Sequence, residues 1–189
     1  MRATKLDLYG LDDGLVDVEQ LPLTDDEKAI VKEVQQQDKT LARYLHDHNG
    51  GHELVPVVGF KECDGCKAEL ATAKVYEPSG KERCFYPDKR GYLRDRKGNY
   101  LHRIIAYSYT MQADYKLWQK AMVASRKYEV HHKNPAIRRL PHGNNIMNVK
   151  LLRKDLHAKY TEITRNLRSM VENDEEEIKL VKPGFYYSI

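Results

Sequence analysis

One stretch of the sequence decides the predicted fold: Tyr128-Glu-Val-His131-His132-Lys-Asn-Pro135, a polar loop, and then Asn144-Asn-Ile-Met-Asn148-Val-Lys-Leu-Leu-Arg-Lys-Asp-Leu-His157-Ala-Lys-Tyr-Thr161. Two adjacent histidines close an apolar run that is typical of a strand. Asn148 opens a second short strand, and His157 falls in the first turn of a helix expected over 154–172. The stretch therefore predicts a strand, a loop, a strand and a helix.

These residue types suit the hydrolysis of a phosphodiester bond. The reaction needs a deprotonated water, compensation of charge on the phosphoryl oxygens, and help for the leaving oxygen. Side chains alternate along a strand, so His131 and His132 are expected to point to opposite sides. Imidazole binds divalent cations when neutral and exchanges protons near neutral pH. One histidine can therefore face a metal while its neighbour faces the attacking water.

The order His-His, Asn, His on this pattern resembles the HNH endonucleases of the ββα-metal (His-Me finger) class, in particular those of phages. The resemblance implies an α+β fold and metal-dependent cleavage of DNA. It implies that His131 and His157 hold one divalent cation and that His132 is the general base. Asn148, the one asparagine with the family spacing, would orient that base or support the loop, and Asn145 is held in reserve for this role. The alternative for Asn144, Asn145 and Asn148 is that they are turn residues.

The resemblance leaves the identity of the metal open. Some relatives carry a third ligand one helical turn after the last histidine, where this chain has Thr161. We expect water and phosphate oxygens to complete the shell, which favours Mg²⁺ or Mn²⁺ and keeps Zn²⁺ and Ni²⁺ as alternatives.

The resemblance extends upstream of these histidines. A hairpin is expected over 91–103. Its end overlaps the segment His102-Arg-Ile-Ile-Ala106, which resembles a segment of phage HNH proteins, and a supporting helix is expected over 104–123. We accordingly predict four regions, listed in chain order: an acidic arm and helix (1–52), a Cys-x-x-Cys region (53–79), the nuclease core (80–172) and an acidic, aromatic tail (173–189).

The cysteines form half of a zinc knuckle. Cys63 and Cys66 flank a bend, and Cys84 follows 18 residues later. With His52 or His102 as a fourth ligand, they would form a second, structural zinc site. The alternative is that the three cysteines are reduced thiols, with Cys84 a small buried side chain.

Charge is strongly segregated along the chain. Residues 1–60 carry 6 Lys/Arg against 12 Asp/Glu, whereas residues 61–170 carry 24 against 11. The basic block favours DNA as a partner. The cations nearest the histidines are the predicted phosphate contacts: Arg103, Arg138, Arg139, Lys150, Arg153 and Lys154.

The amino-terminal third contains a predicted acidic helix. Thr24 and Glu27 form a capping box for a helix to about residue 48. We expect this helix to pack on the nuclease core; the alternative, which its acidic character suits, is that it recruits a partner protein. The sequence lacks a membrane span and a secretory signal, so a cytoplasmic location is expected. Two other functions stay open: a nucleic-acid-binding module whose metal is structural, and an adaptor associated with packaging machinery.

Overall fold

The computed structural model describes residue 11 and residues 16–173 of this α+β protein. Its contacts divide the chain into two compact units. The first comprises Met1–Lys39 and Asp155–Ile189, and the second comprises Thr40–Lys154. The two units are defined by the density of contacts within each, and their bounds do not correspond to the four regions predicted from the sequence. Those four regions therefore stay predictions. The predicted tail, apart from its first residue, lies outside the described residues.

Helix α1 spans Asp25–Asp47 and begins with the predicted capping box. The Thr24 amide donates to Glu27 Oε2 at 2.8 Å, and the Glu27 amide donates to Thr24 Oγ1 at 3.3 Å. Both atom pairs satisfy amides that a helix start leaves without partners. The helix end carries Leu41 and Tyr44 into the core of the second unit.

Three small antiparallel sheets lie in the second unit. The first has the order β1-β2-β3, and the others pair β4 with β5 and β6 with β7. The strands are β1 Leu54–Pro56, β2 Lys67–Glu69, β3 Lys74–Tyr76, β4 Tyr86–Pro87, β5 Leu93–Arg94, β6 Tyr128–His132 and β7 Val149–Arg153. Pro56 lies in the edge strand β1, where proline is tolerated because an edge strand needs no donor toward a second neighbour.

The segment between the hairpin and β6 differs from the prediction. The second strand of the predicted hairpin reduces to one bridge between Arg94 and Tyr100, and helix α2 already occupies Leu101–Ala113. The expected single helix is also interrupted. Asp114 leaves the helical conformation and its side chain accepts from the Leu117 amide at 3.0 Å, which starts helix α3 at Tyr115–Val123. A short polar side chain that bonds the local backbone favours such a cap over helix continuation.

Helix α2 forms the centre of the second unit and positions β6 and β7. Ile104 and Ile105 are fully buried and share one hydrophobic cluster with Val149 of β7. Strand β7 then continues directly into helix α4, Lys154–Asn173. The apolar spacing of α4 would place Leu156, Tyr160, Ile163, Leu167 and Met170 on one buried stripe. The first four are buried, whereas Met170 is exposed. The chain thus runs through two antiparallel strands into a helix.

Among the described residues, no helix combines the length and the apolar character that crossing a membrane requires.

Candidate active site

His132 stands at the end of β6, where it pairs with Val149 of β7. His132 is buried, with only 8% of its surface exposed. The ring lies among other aromatic rings, with centroid separations of 5.1 Å to His102 and 6.0 Å to Tyr92. Packing on several sides thus fixes the orientation of the imidazole.

Asn144 determines which nitrogen of His132 carries the proton. Its Nδ2 atom donates to the carbonyl oxygens of Arg138 at 3.1 Å and Leu140 at 2.8 Å. A reversed amide would place its oxygen against these two acceptors, so Oδ1 must face His132. His132 Nε2 lies 3.2 Å from that oxygen and therefore donates to it. The proton on Nε2 leaves the lone pair on Nδ1, which forms no hydrogen bond within the described part of the chain.

Asn148 closes the loop between β6 and β7. Its Oδ1 accepts from the Asn134 amide at 2.8 Å, and its Nδ2 donates to the carbonyls of Gly143 at 2.6 Å and Asn134 at 3.2 Å. The loop is tight at this point, since a Cβ atom on Gly143 would lie 2.0 Å from the Ile137 carbonyl oxygen. Of the two roles that the resemblance offered, Asn148 has the loop-supporting one; contact with His132 belongs to Asn144. Asn145, the second candidate for this role, accepts a hydrogen bond from the Asn148 amide on its Oδ1 at 3.1 Å.

His102 is the second histidine beside His132. It lies in the first turn of α2, is 8% exposed, and its Nδ1 is buried without a hydrogen-bond partner among the described residues. Burial, with His132 and Arg103 nearby, lowers the pKa of His102 to about 3. Burial also lowers the pKa of His132, to about 4, although its hydrogen bond to Asn144 opposes the shift. Both rings are therefore neutral at pH 7.

The two predicted metal ligands fall in different units. His131 lies in β6 opposite Lys150, and His157 lies in the first turn of α4; both side chains are partly buried. Among the described side chains, no group of three or more His, Cys, Asp or Glu is arranged to hold a metal ion. The predicted pair supplies only two protein ligands, so this finding does not test it. The donor chemistry fits a divalent cation: imidazole is a common ligand of Zn²⁺ and Ni²⁺, whereas the water and phosphate oxygens expected to complete the shell suit Mg²⁺ or Mn²⁺.

The paired arginines of the loop pack against the β4–β5 hairpin. The Arg138 guanidinium lies over the Tyr92 ring at 4.8 Å and donates to the Arg90 carbonyl at 3.0 Å. Arg139 lies over Gly91, where an added Cβ would come within 2.5 Å of the arginine Nε. Gly91 also has a φ of +82°, a conformation that strongly favours glycine. The arginines thus join the loop to the hairpin.

The other four predicted phosphate contacts have diverse surroundings. Arg103 lies 5.6 Å from the Tyr107 ring centroid, and Lys154 pairs with Glu129 at 3.5 Å. Lys150 is buried and Arg153 is exposed. Their contact with nucleic acid stays a prediction.

The cysteine region is held by polar side chains. Cys63 and Cys66 are buried, whereas Cys84 is exposed. Arg83 Nη1 donates to Cys66 Sγ at 3.6 Å, and Asn99 Nδ2 lies 3.8 Å from Cys63 Sγ. Burial raises the pKa of the Cys63 thiol to about 11.

The two candidate fourth ligands of the zinc site have other neighbours. His52 Nδ1 lies 2.8 Å from Glu69 Oε1, and His102 lies against His132. The zinc site stays a prediction, and the alternative that made Cys84 a buried side chain is wrong, because Cys84 is exposed.

Comparison of the chain with protein-family models, with curated proteins and with solved structures finds no match.

Sequence reasoning missed two members of this site. Asn144 was interpreted as a turn residue, although an Asn just before a strand that follows a histidine pair was the available signal. His102 was considered only as part of an upstream pattern and as a zinc ligand. No spacing rule connects it with His132, which follows it by 30 residues.

Proposed function

We propose that this protein is a metal-dependent endonuclease that hydrolyses phosphodiester bonds in DNA. The observation that supports this most directly is the His132 imidazole, whose proton is held on Nε2 by Asn144 and whose Nδ1 forms no hydrogen bond in the described part of the chain. The ββα order of β6, β7 and α4 and the positive charge of residues 61–170 also support it.

In the proposed reaction, His132 Nδ1 takes a proton from a water molecule. The water oxygen forms a bond to phosphorus while the bond from phosphorus to the 3′ oxygen breaks, and that oxygen leaves with a proton from solvent. The products implied by the resemblance carry 5′-phosphate and 3′-hydroxyl ends. Burial lowers the pKa of His132 to about 4, so the ring is neutral at pH 7 and its Nδ1 carries no proton before the reaction.

His131 and His157 are the residues proposed to hold the cation. When bound, the cation would supply Lewis-acid stabilisation of charge on the phosphoryl and leaving oxygens. His131 is the strand neighbour of His132, and strand alternation separates the two functions onto opposite faces.

Plasmid nicking tests this function. Wild-type protein with Mn²⁺, Mg²⁺ or Zn²⁺ is expected to convert supercoiled DNA to the open-circular form. His132→Ala should lower the rate by roughly 100-fold or more, the usual contribution of a general base. His142→Ala is the matched control, because His142 is exposed in the same loop. Equal rates for His132→Ala and wild type would overturn the proposal.

A partner protein on α1 is a separate proposal, carried by exposed carboxylates such as Asp26 and Glu33, since Glu27 is engaged in the capping box. Deleting the amino-terminal 50 residues is not a clean test, because Leu41 and Tyr44 belong to the core of the second unit. Charge reversal at Asp26 and Glu33, both exposed, leaves that core intact. Loss of a co-purifying protein with unchanged nicking would support the partner; unchanged co-purification would count against it.

A further inference from the structure

A cleft of about 650 Å³ lies beside the β4–β5 hairpin, within the second unit. Its wall is made of the two strands and the turns that follow them, and it includes two tyrosines, four cations and two aspartates. Ligand sites commonly have volumes of roughly 300–1,000 Å³, so the cleft has room for one or two nucleotides.

The two carboxylates of the cleft are already engaged by their own turns. Asp88 Oδ1 accepts the amides of Arg90 at 2.8 Å and Tyr92 at 2.9 Å. Asp95 accepts Arg83 Nε at 2.9 Å in a buried ion pair. Their negative charge therefore stabilises the hairpin.

The four cations of the cleft form no close ion pairs, although Arg94 is near enough to interact electrostatically with Asp88. The side chains of Lys89, Arg90, Arg94 and Arg96 are exposed and form no ion pair within 4.0 Å in the described part of the chain. Several exposed cations that line one cleft and lack close carboxylate partners favour an anionic ligand with several negative groups.

The tyrosines add an aromatic component. Tyr86 is 50% exposed although it is a large aromatic residue in a strand. The Tyr100 hydroxyl donates to Asp88 Oδ2 at 3.3 Å, which leaves the ring fixed at the cleft wall. Exposed aromatic rings among cations are the combination that binds unpaired bases and their phosphates in single-stranded nucleic acid.

The cleft is connected to the candidate active site through aromatic rings. The Tyr100 and His102 centroids are 5.5 Å apart, and those of His102 and His132 are 5.1 Å apart. Tyr100 is therefore within about 11 Å of His132, roughly three stacked nucleotide steps of 3.4 Å each. A strand held in the cleft would therefore need to extend by only about three nucleotides to bring a phosphate near His132.

We propose that this cleft binds an unpaired stretch of the DNA strand next to the phosphate that is cleaved. Arg94 and Arg96 contact its phosphates, and Tyr86 stacks on a base. As a statement about substrate, this rests on the proposed nuclease function. It implies a preference for DNA with a single-stranded segment, such as a flap or a gap, over fully paired DNA.

Binding can be measured without cleavage, in EDTA, by fluorescence anisotropy with a labelled 12-nucleotide oligothymidylate and with a 12-base-pair duplex. Arg94→Gln with Arg96→Gln should weaken binding to the single strand about tenfold at moderate salt. The slope of log K against log salt concentration should also become smaller in magnitude by about 1.4, because each lost phosphate contact on a single strand removes about 0.7. Tyr86→Ala should weaken single-strand binding at least about fivefold, the lower range for loss of one base stack.

The matched control is Arg126→Gln with Lys127→Gln, which removes the same charge at two exposed positions outside the cleft. The proposal is overturned if the control pair weakens single-strand binding as much as the cleft pair. It is equally overturned if the cleft variants weaken duplex binding as much as single-strand binding. Neither result concerns His132, so a nicking assay with His132→Ala separates failure of the cleft from failure of the nuclease function.

Discussion

His132 Nε2 donates a hydrogen bond to Asn144 Oδ1 over 3.2 Å, and the same asparagine is anchored by two backbone carbonyls of the loop. The loop thus sets both the orientation and the tautomer of the histidine. A side chain that acts in this way is a positioning residue, because it acts on the reaction through His132.

Replacing Asn144 should therefore affect the reaction more than the binding of DNA. We expect Asn144→Ala to lower the nicking rate about 10- to 100-fold, the range for loss of an outer partner of a site histidine. The apparent affinity for DNA should change little, because Asn144 is buried. The measurement is the rate against DNA concentration, with Asn145→Ala as the control. An equal fall in rate for both variants would contradict the assignment.

Asn148 should matter first for stability. Its side chain makes three hydrogen bonds within the loop and is 7% exposed. Asn148→Ala leaves buried backbone groups without partners, so we expect the free energy of unfolding to fall by about 2–4 kcal/mol. Urea denaturation measures the change. Asn145→Ala, which removes one bond from the same loop, should cost less; the reverse order would show that the loop does not depend on Asn148.

The buried histidine pair should make the protein sensitive to acid. The folded pKa of His102 is about 3 and that of His132 about 4, whereas an unfolded histidine titrates near 6.5. Below about pH 6.5 the unfolded state therefore binds protons that the folded state does not. The free energy of unfolding should fall with pH by up to about 1.4 kcal/mol per pH unit for each ring.

Replacement of one ring tests this expectation. His102→Phe removes one titrating group and also the buried Nδ1 that lacks a partner. Between pH 6.5 and pH 5, the free energy of unfolding of His102→Phe should fall less than that of the wild type. The difference is the part of the fall that comes from protonation of His102 in the unfolded state. Denaturation in EDTA at several pH values measures this, and His46→Gln, at an exposed helix end, is the control. A slope unchanged by His102→Phe would contradict the burial argument.

The thiols should differ in reactivity. Cys84 is exposed, whereas Cys63 and Cys66 are buried and burial raises the pKa of Cys63 to about 11. In native, EDTA-treated protein at pH 8, a thiol reagent should modify one cysteine quickly and the other two only on unfolding. Cys84→Ser should abolish the fast phase.

The predicted structural zinc site is tested by the zinc content of the double variant Cys63→Ser with Cys66→Ser. A zinc content equal to that of the wild type would reject the site.

The proposed metal ligands can be tested apart from cleavage. His131→Ala and His157→Ala should each weaken Mn²⁺ binding at least about tenfold, because each removes half of the proposed protein ligands. Isothermal titration calorimetry measures the affinity, and His142→Ala is the control. If both variants bind Mn²⁺ as tightly as the control, the cation site lies elsewhere.

Several features followed from the sequence because they depend on neighbours along the chain. The capping box of α1 needs only Thr24 and Glu27 three residues apart, and it forms as predicted. The strands ending at His132 and beginning at Val149 and the helix that starts at Lys154 follow from local hydrophobic pattern. The helix break at Asp114 was missed because a side-chain cap competed with the apolar spacing that favoured continuation.

Only the tertiary structure decided which side chains meet. The sequence determined that a histidine pair ends a strand. It did not show that His102 lies against His132, or that Asn144 rather than Asn148 contacts the imidazole. It also did not show that Arg138 and Arg139 lie on the hairpin. Strand and helix periodicity is a short-range property of the backbone, whereas these contacts join residues 12 to 48 positions apart through packing around α2. A local pattern fixes the face on which a residue lies, and only the packed core fixes what that face meets.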